Sequence, residues 1–77
     1  MAMDTDKIDE AVLALLQLTL HDEFRSWKGH DWDVLDRLHR KGMIGDPVGK
    51  TKSVVLTSAG LAESERLFRQ LFGKASP

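Results

Sequence analysis

Residues 45–51, GDPVGKT, bring together two glycines, a lysine and a threonine, the residue types of a phosphate-binding loop. In such a loop backbone N–H groups cradle phosphate, the lysine reaches the outer phosphates and the threonine holds magnesium. The pattern needs four residues between its glycines and a helix opening directly after it. Here three residues separate Gly45 from Gly49, and the run that follows, SVVLT at 53–57, is β-branched and reads as a strand. A nucleotide site therefore lacks its structural context. The expectation is a hairpin, with 43–44 and 53–57 as strands and 45–52 as an exposed loop.

The remaining reactive side chains form no recognisable constellation. His21, His30 and His39 recur every nine residues, which places them on no common helical face, and the chain has no cysteine. No zinc site is expected. Acids stand beside two of the imidazoles, as they do by chance in a chain that is 30% charged. No serine has a G-x-S-x-G context. The expectation is a protein that is not an enzyme and needs no metal and no cofactor.

Charge is more informative than any single motif. The net charge is −1. Residues 1–24 carry six acids and one base, whereas residues 25–52 carry seven bases and four acids. The bland explanation is ordinary solvation of exposed faces. The sharper one is an anion-binding surface in the middle third of the chain. The acidic start is unlike a signal peptide, and the longest apolar run, residues 11–16, is too short to span a bilayer. Together with the missing cysteines this fits a cytoplasmic protein with no membrane partner.

These residues must be positioned by few elements, because 77 residues make one domain, 1–77, with an ordered core at about 5–72. The spacing of Ile8, Val12, Leu15 and Leu16 predicts a helix over 5–20, capped by Asp4, Thr5 or Asp6. Its apolar band is wide enough to be buried on more than one side. HDEFRSWKG at 21–29 reads as a short helix closed by Gly29. A further helix at 31–41 is capped by Asp31, buries Leu35 and Leu38, and stops at Gly42. Asp33, Asp36, Arg37 and Arg40 would then face outward. The last helix, 58–72, is capped by Thr57 and carries Leu61, Leu67, Phe68, Leu71 and Phe72. Phe24, Trp27 and Trp32 are expected to pack against the core, with stacking on bases as the alternative.

The succession LDRLHRKGMI, a basic loop, then SVVLTSAG leading into a helix resembles winged helix-turn-helix regulators of the MarR and PadR types. Leu35, Leu38, Lys41, Gly42, Ile44, Leu56, Thr57 and Gly60 occupy the matching positions, over residues 31–61. The longer stretch DKIDEAVLALLQLTLHDEFRSWKGHDWDVLDRLHRKGMI, with KSVVLTSAG, resembles a family of small bacterial proteins catalogued as a domain of unknown function. That likeness implies one whole domain and transfers no activity.

The expected fold is thus α+β and of winged helix-turn-helix type: three N-terminal helices, one of them short, a two-stranded β-hairpin wing, and a C-terminal helix. Two functions stand open. As a small regulator binding double-stranded DNA, the chain would use Arg37 and Arg40 in the groove. Lys50 and Lys52 would meet phosphate through the wing, and Arg25 and Lys28 would meet the backbone. Asp33 and Asp36 oppose this by repelling phosphate. As an interaction or dimerisation module, the same scaffold would bind a protein partner or a second copy. Leu67, Phe68, Leu71 and Phe72 are the candidate homodimer interface.

Overall fold

A computed structural model describes residues 3–48 and 52–74. Helix α1 spans Thr5–Leu15. Its N-cap is Asp4, whose carboxylate accepts the Lys7 N–H at 3.2 Å. The face it buries is Asp9, Leu13, Ala14 and Leu16, with Ile8 exposed and Val12 and Leu15 half-buried. The stripe expected from Ile8, Val12 and Leu15 is therefore one position out of register. Asp9, Leu13 and Leu16 are the i, i+4, i+7 set, and one member is an acid.

The helix does not continue to residue 20. It tightens into a 3-10 turn at Leu16–Thr19. Its last carbonyls are taken by hydroxyls from elsewhere: Ser64 Oγ donates to Leu13 O and Ser26 Oγ to Leu16 O. Both serines are fully buried, so these bonds replace lost water contacts at the end of the helix.

The segment 21–29 is not helical. His21 and Arg25 exchange backbone bonds of 2.7 and 2.9 Å around a tight turn, in which Asp22 and Glu23 have φ of 48° and 70°. That left-handed pair is incompatible with an α-helix. Strand β1, Arg25–Trp27, follows and pairs antiparallel with β2, Ser53–Val55. The register sets Arg25 against Val55, Ser26 against Val54, and Trp27 against Ser53. Ser26 and Val54 point inward, while Trp27 and Val55 point out. The expected hairpin between 43–44 and 53–57 survives as a single bridge, Ile44 to Leu56. The main partner of β2 comes from earlier in the chain, and the sheet closes across the intervening helix.

That helix, α2, spans Trp32–Arg40 and buries Val34, Leu35 and Leu38. Gly42 ends it at φ +79°, with Met43 N–H on Leu38 O and Gly42 N–H on His39 O. These two bonds form the left-handed C-terminal cap that favours glycine. The loop after it is less exposed than expected. Gly45 is half-buried and Pro47 is buried, while Gly49, Lys50 and Thr51 lie outside the described residues.

Helix α3, Ser58–Phe72, begins where the sequence places it. Thr57 Oγ1 accepts the Gly60 N–H at 2.9 Å and donates to Gly42 O at 2.6 Å, tying the start of α3 to the end of α2. α1 packs chiefly on α3 and next on α2. The core is Leu13, Ala14, Leu16, Val34, Leu35, Leu38, Ile44, Val54, Leu56 and Leu67. Each fully buried leucine contributes about 2 kcal/mol of transfer free energy. The chain is thus an α+β domain with three α-helices and one two-stranded antiparallel sheet among the described residues.

Candidate functional site

Two places gather chemistry-bearing residues. The first is a charge knot between α1 and α2. Asp9 is 1% exposed. Arg37 Nε lies 3.0 and 2.9 Å from its two carboxylate oxygens, and Arg37 Nη2 lies 2.8 Å from Oδ1. Lys41 Nζ donates to Asp9 Oδ2 at 2.8 Å and to Asp6 Oδ1 at 3.0 Å. Burial pushes the Asp9 carboxyl up, but the hydrogen bonds and charges of Arg37 and Lys41 outweigh it and hold the group below its ordinary value. Hydrogen bonding to Asp9 raises Lys41 and Arg37 in turn. A carboxylate so held is a poor base, and its oxygens are already engaged. A cleft of about 260 Å³ opens beside it, floored by Leu13, Leu38, Met43 and Leu67.

Arg37 therefore does not face outward as the helix pattern predicts. It reaches back across α1, because the stripe it lies against contains an acid. Arg40 does stay on the outer surface, paired with Asp36 at 2.6 Å. Both side chains of that pair are solvated, so it is weak. Along the outer side of α2 the exposed acids are Asp31, Asp33 and Asp36.

The second place is the outer face of the sheet, which carries Trp27, together with the exposed aromatics around it. Trp27 is 51% exposed and Trp32 56% exposed, with Phe24 also open to solvent. The expectation that these aromatics fill the core does not hold, since the core closes without them. The Trp27 ring lies 5.4 Å from that of His21. Beside it is a shallow hollow of about 300 Å³, lined by Leu15, Leu18, Thr19, Trp27, Gly29 and His30. Leu18 is 67% exposed at its rim. Lys28 Nζ lies 5.6 Å from the Trp32 ring centroid and donates to Pro47 O at 2.8 Å. Lys52 is exposed at the same end of the sheet, its carbonyl accepting the Lys28 N–H. Arg25 is half-buried opposite Val55.

The six bases singled out in the sequence thus separate. Arg25, Lys28 and Lys52 gather at the sheet; Arg37 and Arg40 lie on α2, tied to acids; Lys50 lies outside the described residues. The four apolar residues of the last helix separate too. Leu67 is 2% exposed and belongs to the core, and Phe68 is half-buried, edge-on to Phe72 at 5.6 Å. Only Leu71 and Phe72 remain substantially exposed.

The histidines serve locally. His21 Nδ1 bonds Thr19 O and His39 Nδ1 bonds Ile44 O. Among the described residues no three His, Cys, Asp or Glu converge as metal ligands, and no helix is long and apolar enough to cross a membrane.

No solved structure matches the chain. Uncharacterized protein y4hR of Sinorhizobium fredii (strain NBRC 101917 / NGR234) is 64% identical over 72 residues, covering 94% of this chain and 97% of that protein. The model of the family described as domain of unknown function (DUF6429) matches residues 4–74. Nearly the whole chain is covered by that match, and the protein belongs to the DUF6429 family.

Proposed function

We propose that this chain is a non-catalytic protein-interaction domain that makes contact through the outer face of its sheet. The observation that carries the reading is the exposure of both tryptophans in a domain whose core is filled without them. At half exposure each ring leaves on the order of 100 Å² of apolar surface in water. Tryptophan and arginine are the residues that dominate binding energy at protein interfaces, and Trp27 and Arg25 share the outer side of β1. Buried Asp9 and its partners hold α1 against α2 and serve the scaffold.

Duplex DNA binding by a winged helix is the second reading. The observations that favour it are the Gly42 turn, the Ile44–Leu56 bridge and the Thr57–Gly60 cap, which follow the order found in winged helices. Against it, four residues separate β1 from α2, too few for the helix that precedes a recognition helix. Of the two arginines meant for the groove, one is bound to Asp9 and the other to Asp36.

A photo-crosslinking residue placed at Trp27, and separately at Asp36 on the outer side of α2, tests both readings in cells. The interaction reading expects protein adducts from position 27 and few from position 36. Nucleic-acid adducts from position 36, or no adduct from position 27, would overturn it. Purified protein titrated with mixed duplex at about 50 mM salt, where phosphate contacts are strongest, is expected to show no saturable binding.

A further inference from the structure

We propose that residues 21–28 form a detachable strap, which opens while the rest of the domain stays folded, and that the strain in its turn sets how often it opens. Its bearing on binding rests on the interaction reading above, since opening dismantles the outer face that presents Trp27.

The turn is strained at two successive residues. Asp22 and Glu23 have φ of 48° and 70°. In that region the Cβ of any residue but glycine crowds a neighbouring carbonyl. Aspartate tolerates it better than most side chains do, so Glu23 carries the larger share. The Phe24 N–H donates to Asp22 O at 2.8 Å and closes a three-residue turn around Glu23. A turn of this size with positive φ at its centre is the rare and strained form. Such a conformation persists only where its surroundings enforce it.

Little apolar burial enforces it here. None of residues 21–28 belongs to the apolar core, and Ser26 is the one buried side chain among them. Phe24 and Trp27 are exposed. The strap is held mainly by hydrogen bonds. Leu56 N–H donates to Phe24 O at 2.7 Å and Lys28 N–H to Lys52 O at 3.0 Å. Trp27 N–H donates to Thr19 Oγ1 at 3.2 Å, and the Ser26 hydroxyl donates to Leu16 O. A segment with few buried apolar contacts opens at a lower free energy than the whole domain. Beyond the strap the chain is anchored again. Leu20 packs on the core, Met43 N–H bonds Leu38 O, and Thr57 N–H bonds Met43 O. The edge of the opening unit therefore falls between neighbours: the Leu56 amide goes with the strap, and the Thr57 amide stays with the helices. A partner that grips Trp27 binds the closed strap alone, and it suppresses opening in proportion to its occupancy.

Amide hydrogen exchange of the purified full chain, read by NMR, tests the strap without any partner. After correction for intrinsic rates, the amides of Arg25, Lys28 and Leu56 should exchange at least about tenfold faster than those of Met43 and Thr57. Urea below the unfolding midpoint should speed exchange at Met43 and Thr57 and scarcely change it in the strap, whose opening exposes little surface. Asp22→Gly with Glu23→Gly should slow strap exchange about fivefold relative to Asp22→Ala with Glu23→Ala. Both double variants remove the charges, and glycine alone removes the strain. Both positions are exposed, and circular dichroism of each variant checks its fold. Strap amides that exchange together with Met43 and Thr57, a Leu56 amide that follows Thr57, or glycine and alanine variants that exchange alike would each overturn the proposal. If the strap behaves as stated and position 27 yields no protein adduct in cells, the interaction reading falls and the strap stands. Adducts from position 27 on a chain whose strap opens only with the core would sink the strap and leave the interaction reading.

Discussion

Asp9 sits among leucines. It shares a stripe with Leu13 and Leu16, and it survives there because Arg37 and Lys41 close over it. The sequence pattern hid this, since an acid inside an apolar stripe reads as a gap in the stripe. The signal was present: shifting the helical register by one residue lines up Asp9, Leu13 and Leu16, and puts Arg37 and Lys41, four residues apart, within reach.

The consequence is a pH dependence with a definite sign. Asp9 is held below its ordinary value of 3.8, so its contribution is full above that value and lost as pH falls below it. Lys41 is held above its ordinary 10.5, so its contribution is full below that value and lost as pH rises past it. A thermal melt series should show a plateau between these limits. Asp9→Asn should lower stability on the plateau by about 2 kcal/mol, discounted from a fully buried pair because water reaches Lys41. It should also flatten the acid limb. An acid limb unchanged by Asp9→Asn would mean that other carboxylates carry it.

Gly60 makes a second prediction at this scale. A Cβ there would fall on the backbone carbonyl of Met43, where no side chain can yield. Gly60→Ala should cost about 3 kcal/mol by overpacking, seen as a lower urea midpoint with an unchanged slope. The sequence motif located this glycine. Its reason, the close approach of α3 to the end of α2, needed the structure.

Among the elements, the helices were largely legible and the sheet was not. α2 and α3 fall within a residue or two of their expected bounds, because each has a periodic face and a stop signal; Thr57 caps α3 through its side chain, whereas Asp31 precedes α2 without a side-chain capping bond. β1 was missed. HDEFRSWKG contains a plausible helix terminator in Gly29 and no run of β-branched residues. What decides its conformation is long-range: Val54 to cover its inner side, and Leu16 O to receive the Ser26 hydroxyl. The same reversal exposed Trp27. In a helix Trp27 would turn toward the core, and in the strand it alternates with Ser26 and points out.

Two measurements separate these cases. Backbone contacts between Ser26 and Val54 in solution NMR are expected, whereas sequential amide contacts through 24–28 would indicate the helix. Trp27→Ala should cost about 1–2 kcal/mol, well below the roughly 3–5 of a buried tryptophan. A larger loss in urea unfolding would place the ring in the core.

For the whole molecule, the segregation of charge read from the sequence does persist in three dimensions, but its meaning changes. Two of the bases in the middle third, Arg37 and Lys41, neutralise Asp9 and Asp6 of the acidic first third. The excess of positive charge is thereby partly spent inside the fold, leaving Arg25, Lys28 and Lys52 beside exposed aromatics. That is the composition of a protein contact surface more than of a phosphate track.

The chain has two tryptophans, both about half exposed: Trp27 on the outer face of the sheet, which is assigned to a partner, and Trp32 at the start of α2. Fluorine NMR of protein labelled with 5-fluorotryptophan therefore reports on that surface through Trp27, with Trp32 as an exposed comparison, in buffer and inside cells. In dilute buffer both resonances should show the solvent isotope shift of water-exposed rings, and added duplex should not move them. Inside cells the Trp27 resonance should broaden or shift and lose its isotope effect as a partner covers it. Two resonances already shielded in dilute buffer, or two that stay sharp and exposed in cells, would contradict the account.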